Sequence, residues 1–300
     1  MKTVLGLGEL LWDVLPEGLQ LGGAPANYTV MAGRLGNHAV LLSRIGADSM
    51  SERALQVLLP MPVDCTLLQT DPEQPTGWVT VELREGQPSY TIHEPVAWDF
   101  MELSGAWTAA TAQADAICFG SLGQRDPVSR ATTQALVRST RPECHRIFDV
   151  NLRAPFYSAE LIRSSLELAT VMKMNDVEVP PVAELLGLPK PASLRAGAEA
   201  LLREFPNLRL IAITRGGSGS LLVSPEEFDS HPGIGTIVAD TIGAGDAFTA
   251  ALTHYLLRGA PLRVLNEAGN RWGSFIASRS GAMPEISDET IARIAREIEG

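Results

Sequence analysis

The sequence is short of basic residues, cysteines, aromatics and long apolar runs, and each shortage removes a class of function. Lys and Arg number 24 against 35 Asp and Glu, a net charge of −11, and no basic cluster stands out. Such a chain repels a polyphosphate backbone, so nucleic acid is excluded as the main partner. The three cysteines, Cys65, Cys118 and Cys144, are odd in number and lack C-x-x-C spacing. Neither a disulfide framework nor a zinc site is expected, and a reducing cytoplasm fits. No apolar run approaches the roughly 20 residues that cross a bilayer. The apolar opening Thr3 to Leu15 is interrupted by Glu9 and Asp13 and lacks a small-residue cleavage site, unlike a signal peptide. Two nucleotide fingerprints are also missing. There is no G-x-x-x-x-G-K-[ST], and Gly6-Leu7-Gly8 has Leu11 where a dinucleotide-binding turn needs its third glycine.

What is present is an ordinary globular composition, 300 residues with 45% hydrophobic and 20% charged. Short apolar runs alternate with amphipathic segments, which predicts β-α units around a mostly parallel sheet. Buried strands are expected at Thr3 to Leu7, Ala39 to Ile45, Ala116 to Phe119, Arg146 to Val150, Val171 to Met174 and Leu208 to Thr214. Helices are expected at Asp126 to Ser139, Ala192 to Phe205, Gly243 to Leu257, Pro261 to Ala277 and, capped by Ser287, Asp288 to Ile298. Residues 77–92 alternate at period two around Arg84-Glu85-Gly86-Gln87 and predict a β-hairpin. With Asp13 to Gly22 it would form a small lid, hinged near Gly22-Gly23 and Pro75 to Gly77. The whole chain reads as one α/β domain carrying that lid.

Five stretches and Asp13 offer chemistry. In Asp240-Thr241-Ile242-Gly243-Ala244-Gly245-Asp246 a glycine-rich turn enters a helix, whose first N–H groups are free donors at a positive dipole end. That is an anion site with a carboxylate beside it, although Asp246 could equally be a residue that only complements the dipole. Gly22-Gly23-Ala24-Pro25-Ala26-Asn27 opens another helix, and Asn27 in its first turn has a donor and an acceptor for a hydroxylated ligand. Asp13 interrupts an apolar strand where that strand should end, as either a turn residue or a ligand. Asp149 to Arg153 and Lys173 to Glu178 follow candidate strands, at the sheet edge where open α/β folds bind ligands. Thr214-Arg215-Gly216-Gly217-Ser218-Gly219 follows another, as a nucleotide loop or a plain strand-to-strand turn.

In this order the motifs resemble the pfkB-type carbohydrate kinases of the ribokinase-like superfamily, over essentially the whole chain. Gly22-Gly23-x-x-x-Asn27 is similar to the family's sugar motif, Asn175-x-x-Glu178 to its metal and phosphate motif, and Thr214-x-Gly216-x-x-Gly219 to its nucleotide loop. The run Asp240 to Asp246 resembles the C-terminal signature, with Ile242 where many members have Thr. Within the family the chain looks most like fructokinases, through Asp149-Val150-Asn151-Leu152-Arg153, Pro75-Thr76-Gly77 and Ala97-Trp98-Asp99.

The resemblance implies a three-layer α/β/α sandwich with a β lid, and an ATP-dependent kinase of a sugar's primary hydroxyl. Asp246 would act as the base, and the N–H groups of Gly243, Ala244, Gly245 and Asp246 would hold phosphoryl charge. Asp13, Gly22, Gly23, Asn27 and Arg153 would hold the sugar. Asn175, Glu178, Thr214, Gly216, Gly219 and Asn270 would serve ATP, with Asn270 near the adenine. Mg²⁺ would sit near Glu178, mostly through water, and a K⁺ beside the anion loop would have Asp240 and the Ile242 carbonyl as candidate ligands. The helix N-terminus should keep Asp246 ionised and weakly basic, which a loose transition state tolerates. A homodimer through the lid is also implied, the apolar hairpin residues Val79, Val81 and Leu83 needing cover. Competing readings are a ribokinase, a 2-keto-3-deoxygluconate kinase, a non-catalytic sugar sensor and a dehydrogenase.

Overall fold

The apolar runs assemble into one large sheet and one small one. In the computed structural model residues 1–16, 18–84 and 87–300 are described, with 81–84 and 87–89 by backbone alone. In chain order the first strands are β1 (Thr3–Leu7), β2 (Leu11–Leu15), β3 (Gly18–Gly22), β4 (His38–Leu42), β5 (Arg44–Gly46), β6 (Gln69–Asp71), β7 (Gly77–Arg84) and β8 (Gln87–Ile92). Then come β9 (Ala116–Gly120), β10 (His145–Asp149), β11 (Val171–Asn175), β12 (Leu210–Thr214), β13 (Ser220–Val223) and β14 (Phe228–His231). The helices are α1 (Ala24–Arg34), α2 (Ser49–Leu58), α3 (Gly105–Gln113), α4 (Pro127–Arg138), α5 (Ala159–Leu166), α6 (Val179–Leu185), α7 (Leu194–Glu204), α8 (Ala244–Leu256), α9 (Leu262–Ala277) and α10 (Asp288–Glu299).

The large sheet has the order β14-β13-β12-β11-β10-β9-β1-β4. Pairing is parallel from β12 to β4 and antiparallel at β12–β13 and β13–β14. Alternation along each strand sends side chains to two cores. Leu5, Leu7, Phe119 and Ile213 pack with Trp107, Leu136, Ile162, Val182 and Leu201 from α3 to α7. Val4, Ala116, Ile147 and Ala212 pack with Tyr28, Phe248, Trp272 and Ile294 from α1, α8, α9 and α10. Three layers result, as expected. β1 has β4 on one side and β9 on the other. The crevice beyond the carboxyl ends of β1 and β9 is therefore the topological switch point, where such sheets bind ligands.

The second sheet, β3-β2-β7-β8, joins the two predicted lid segments. Two strand expectations change. Thr3 to Leu7 is a strand as expected, but the apolar run on which Asp13 lies is a separate one, since the chain leaves the large sheet after Leu7 and re-enters extended structure in the lid. Asp13 therefore sits mid-strand in β2, opposite Gln20 and Val79, rather than at a strand end. Ala39 to Ile45 likewise divides at Ser43, because β5 leaves the large sheet to pair with β6. The hairpin turn at Glu85 and Gly86 and the side chains of Val81 and Leu83 lie outside the described residues, while Val79 is buried. Asp126, Ser193 and Ser287 cap α4, α7 and α10 with their side chains. No helix among the described residues is long and apolar enough to cross a membrane.

Candidate active site

The start of α8 supplies the anion site. Gly243 is its N-cap in the left-handed region, φ 76°, and a Cβ there would lie 2.6 Å from that of Ala282, so glycine is required on both counts. Ala244 N–H reaches back to the Thr241 carbonyl at 3.3 Å, whereas those of Gly243, Gly245 and Asp246 donate to no atom among the described residues. Three of the four expected donors are thus free for a ligand.

Asp246 follows in the first turn of α8, its Oδ2 accepting a hydrogen bond of 2.8 Å from Asn27 Nδ2. Burial, and next the negative charge of Asp149, push its pKa up from 3.8 to about 6. The expectation of a weak base is overturned, because desolvation and a like charge outweigh the helix end. Opposing them are Lys173, the Asn27 hydrogen bond and Arg153.

Beneath the loop lies a buried polar layer. Asp149 on β10 and Lys173 on β11 are register partners, and Lys173 Nζ lies 3.1 Å from Asp149 Oδ1. Thr249, one turn into α8, donates to Asp149 Oδ2 at 3.2 Å. A Cβ at Gly245 would stand 3.0 Å from Lys173 Nζ, which places the ammonium directly against the anion loop. Burial works against the Lys173 charge, but Asp149, Asp246 and Glu178 outweigh it and raise its pKa.

Asn175 and Glu178 brace each other at the start of α6. Glu178 Oε2 accepts from Asn175 N–H at 2.8 Å, Asn175 Oδ1 from Glu178 N–H at 3.0 Å, and Glu178 Oε1 from Leu152 N–H at 2.7 Å. Each Glu178 oxygen keeps one lone pair, which suits an ion held through water better than direct ligation.

At the start of α1, Gly23 caps the helix with φ 105°, and a Cβ there would lie 2.4 Å from the Glu9 carbonyl oxygen. A Cβ at Gly22 would approach Asp13 Oδ2 to 2.9 Å, so its absence leaves room for that carboxylate. Burial, held in check by Arg153, moves the Asp13 pKa up to about 6. Arg153 is exposed and forms no ion pair among the described residues, and its charge acts on Glu9, Asp13 and Asp246 alike. Asn27 and Asp246 are thus in contact, and the charge of Arg153 reaches both Asp13 and Asp246.

A model of the pfkB family carbohydrate kinases matches residues 17–289. The chain belongs to that family. It is 28% identical over 309 residues to a fructokinase of Vibrio alginolyticus, covering 97% of both chains. It is 29% identical over 304 residues to the aminoimidazole riboside kinase of Salmonella typhimurium, covering 95% of this chain and 92% of the other. Its fold matches the crystal structure of a sugar kinase from Pyrococcus horikoshii in complex with ATP, with TM-score 0.81, 28% identity and coverage of 99% and 100%. The protein is an ATP-dependent carbohydrate kinase with the ribokinase-like fold.

In this pfkB kinase the Thr214 to Gly219 stretch connects antiparallel β12 and β13 through a short turn at Gly216–Ser218. Thr214 is the register partner of Asn175, which sets two of the motifs side by side. A Cβ at Gly219 would lie 2.1 Å from the His231 carbonyl oxygen, while Gly216 has open space around its Cβ position. Asp240 closes the loop before α8, accepting from Ile242 N–H at 3.0 Å and Gly281 N–H at 3.1 Å. The Ile242 carbonyl accepts no hydrogen bond among the described residues, as a K⁺ ligand would require. Asn270 is buried, with its amide nitrogen committed to Ser220 Oγ and the Asn266 carbonyl, so it braces β13 below the nucleotide loop.

Three side chains gain a place that the motifs did not give them. Lys173 carried a signal, a lysine inside the apolar run Val171 to Met174, because a buried ammonium requires a counterion. Thr249 carried none. Glu9 stands at the carboxyl end of β1, only 3% exposed, and burial pushes its pKa up from 4.5 to about 7. Its signal was a carboxylate within an apolar run.

Proposed function

We propose that this kinase transfers the γ-phosphoryl group of ATP to the primary hydroxyl of D-fructose, giving fructose 6-phosphate. The observation that carries the mechanism is Asp246, held by Asn27 at 2.8 Å between the free N–H groups of the anion loop and the sugar-side residues. Asp13, Gly22, Gly23, Asn27 and Arg153 hold the sugar with its hydroxyl toward Asp246. As the oxygen bonds to the γ-phosphorus and the bond to ADP breaks, the hydroxyl proton passes to Asp246. A carboxyl with a pKa of about 6 is ionised at neutral pH yet more basic than an ordinary aspartate. The N–H groups of Gly243, Gly245 and Asp246, with Lys173 behind them, stabilise the charge that a loose transition state spreads over the oxygens of the transferring group.

ATP lies along Thr214, Gly216 and Gly219, with Asn270 supporting that wall. Mg²⁺ would neutralise the polyphosphate, held through water by Glu178 and Asn175, and K⁺ would be held by Asp240 and the Ile242 carbonyl. The lid sheet covers the sugar and excludes water. The chain acts as one domain in the cytoplasm, and exposed Tyr90 on β8 belongs to a lid face that a second copy covers.

Fructose is favoured by the Asp149 to Arg153 stretch and by the fructokinase relative. A ribofuranoside is the second reading, because the aminoimidazole riboside kinase is as similar. A sugar panel with coupled detection of ADP tests the choice. Fructose should give the highest kcat/KM; a higher value for ribose, 2-keto-3-deoxygluconate or aminoimidazole riboside removes fructose and leaves the kinase.

A further inference from the structure

Glu9 has one carboxyl oxygen that the fold does not use. Its own N–H and that of Ala24, at the start of α1, favour the charged carboxyl, although no side chain caps that helix. Oε2 is buried without any hydrogen-bond partner and faces the Gly123 backbone, 3.2 Å from the position of a Cβ there. A cavity of about 10 Å³ adjoins it, bounded also by Ala24, Ser121, Asp149 and Asn151. That is about the room one water occupies. Glu9 does not cap α1 through its side chain, and a buried polar atom left bare calls for an explanation.

The surroundings of Glu9 belong to the sugar side. Asp246 and Arg153 are the charged side chains that act on it. Asn27, which holds Asp246, carries a second bare buried oxygen, Oδ1. Two unpaired acceptors thus flank the carboxylate that faces the reacting hydroxyl.

We propose that Glu9 is a sugar-contacting residue, its Oε2 hydrogen-bonded to a substrate hydroxyl other than the one Asp246 deprotonates. The inference rests on the placement of the sugar beside Asp246 given above. With a pKa of about 7, both forms of the carboxyl exist near neutral pH. The acid donates to a hydroxyl oxygen and the carboxylate accepts from a hydroxyl proton, so contact survives in either form.

The test is calorimetric binding of fructose and its monodeoxy analogues, without ATP, to wild type, Glu9→Gln and Glu9→Asp. Gln keeps the length and one acceptor oxygen, and Asp keeps the charge but draws it back, so one variant remains informative if the other misfolds. Each should weaken fructose binding about tenfold or more, the range of a hydrogen bond to a charged group, with ATP affinity unchanged. One deoxy analogue should lose the same factor with wild type and lose nothing further with the variants. Fructose binding by both variants within about twofold of wild type overturns the proposal, as does equal weakening of every analogue. A wild type that binds no sugar of the panel overturns the functional reading itself, and is distinguishable because it appears before any substitution.

Discussion

Replacing Asp246 by Asn separates catalysis from stability, because the structure predicts opposite signs for the two. As a proton acceptor Asp246 contributes about 10² to 10⁴ in rate, so kcat of Asp246→Asn should fall by that factor, roughly 3–5 kcal/mol. Asn offers an oxygen to Asn27 Nδ2, and sugar affinity should hold. Stability should move the other way. Burial and Asp149 raise the Asp246 pKa from 3.8 to about 6, and at about 1.36 kcal/mol per pH unit the ionised group costs the fold up to about 3 kcal/mol. Below pH 3.8 both states keep the proton and the cost is absent. Between there and pH 6 the unfolded chain ionises first, stability declines as pH rises, and above 6 the full cost applies.

Asn does not titrate, so the variant should be the more stable protein above pH 6, with the gain fading toward pH 4. At about 2 °C per kcal/mol the rise in Tm is at most about 6 °C. Removal of a neighbouring anion from Lys173 offsets part of it. Calorimetric scans at pH 4.5 and 7.5 beside steady-state kinetics decide the matter. Wild-type turnover would remove Asp246 as the base, and a Tm below wild type at pH 7.5 would refute the electrostatic account.

The pH profile of kcat/KM should fall as pH drops through about 6, as Asp246 takes up a proton. Asp149→Asn removes the second cause of that elevation and should shift the acid limb to lower pH; a limb unmoved in the variant refutes the coupling. Gly243→Ala forces a side chain into φ 76° and onto Ala282, at a conformational cost of about 1–2 kcal/mol. Its kcat/KM for ATP should fall at least about tenfold, one factor of ten being about 1.4 kcal/mol; retention of wild-type values would show that the anion loop is not needed. Arg153→Ala should raise the fructose KM about tenfold or more, the loss of a charged hydrogen bond, without a change in Tm. An unchanged KM would remove Arg153 from the sugar site.

The glycine-rich motifs were legible because their constraints are local. A left-handed cap at Gly243 or a positive-φ cap at Gly23 leaves its mark within a few residues of sequence. The alternating sheet, its covering helices and the lid hairpin were legible through periodicity for the same reason. Asp246 as a raised carboxyl was not, since its shift comes from burial and then from Asp149, both of which arise only through tertiary packing. The Asp149–Lys173 pair depends on the register of β10 against β11, which no single strand encodes. Asp13 was misplaced because an apolar run that changes sheets is indistinguishable from one that does not. Helices α2, α3, α5 and α6 escaped notice, α6 being only seven residues with Pro180 and Pro181 in its first turn.

Lys173 explains how an acidic chain can work on ATP. A buried ion pair is weak evidence of stability, since desolvation of both charges offsets their attraction. Its effect on Asp246 is more telling. Asp149 drives the Asp246 pKa upward and Lys173 drives it downward, and both belong to one pair at 3.1 Å. Without the lysine, the cluster of Asp149, Glu178 and Asp246 would hold its proton further into the neutral range, and Asp246 could no longer accept one from the sugar. Without Asp149, burial alone would hold the pKa up against the lysine and the helix end, and Asp246 would be a weaker base. The ammonium also lies against Gly245, beside the free N–H groups, so the charge that tunes the base is added to the potential that meets the phosphoryl group. A net charge of −11 is compatible with this chemistry because the positive field is local, built from one buried lysine, three free N–H groups and one exposed arginine at the mouth.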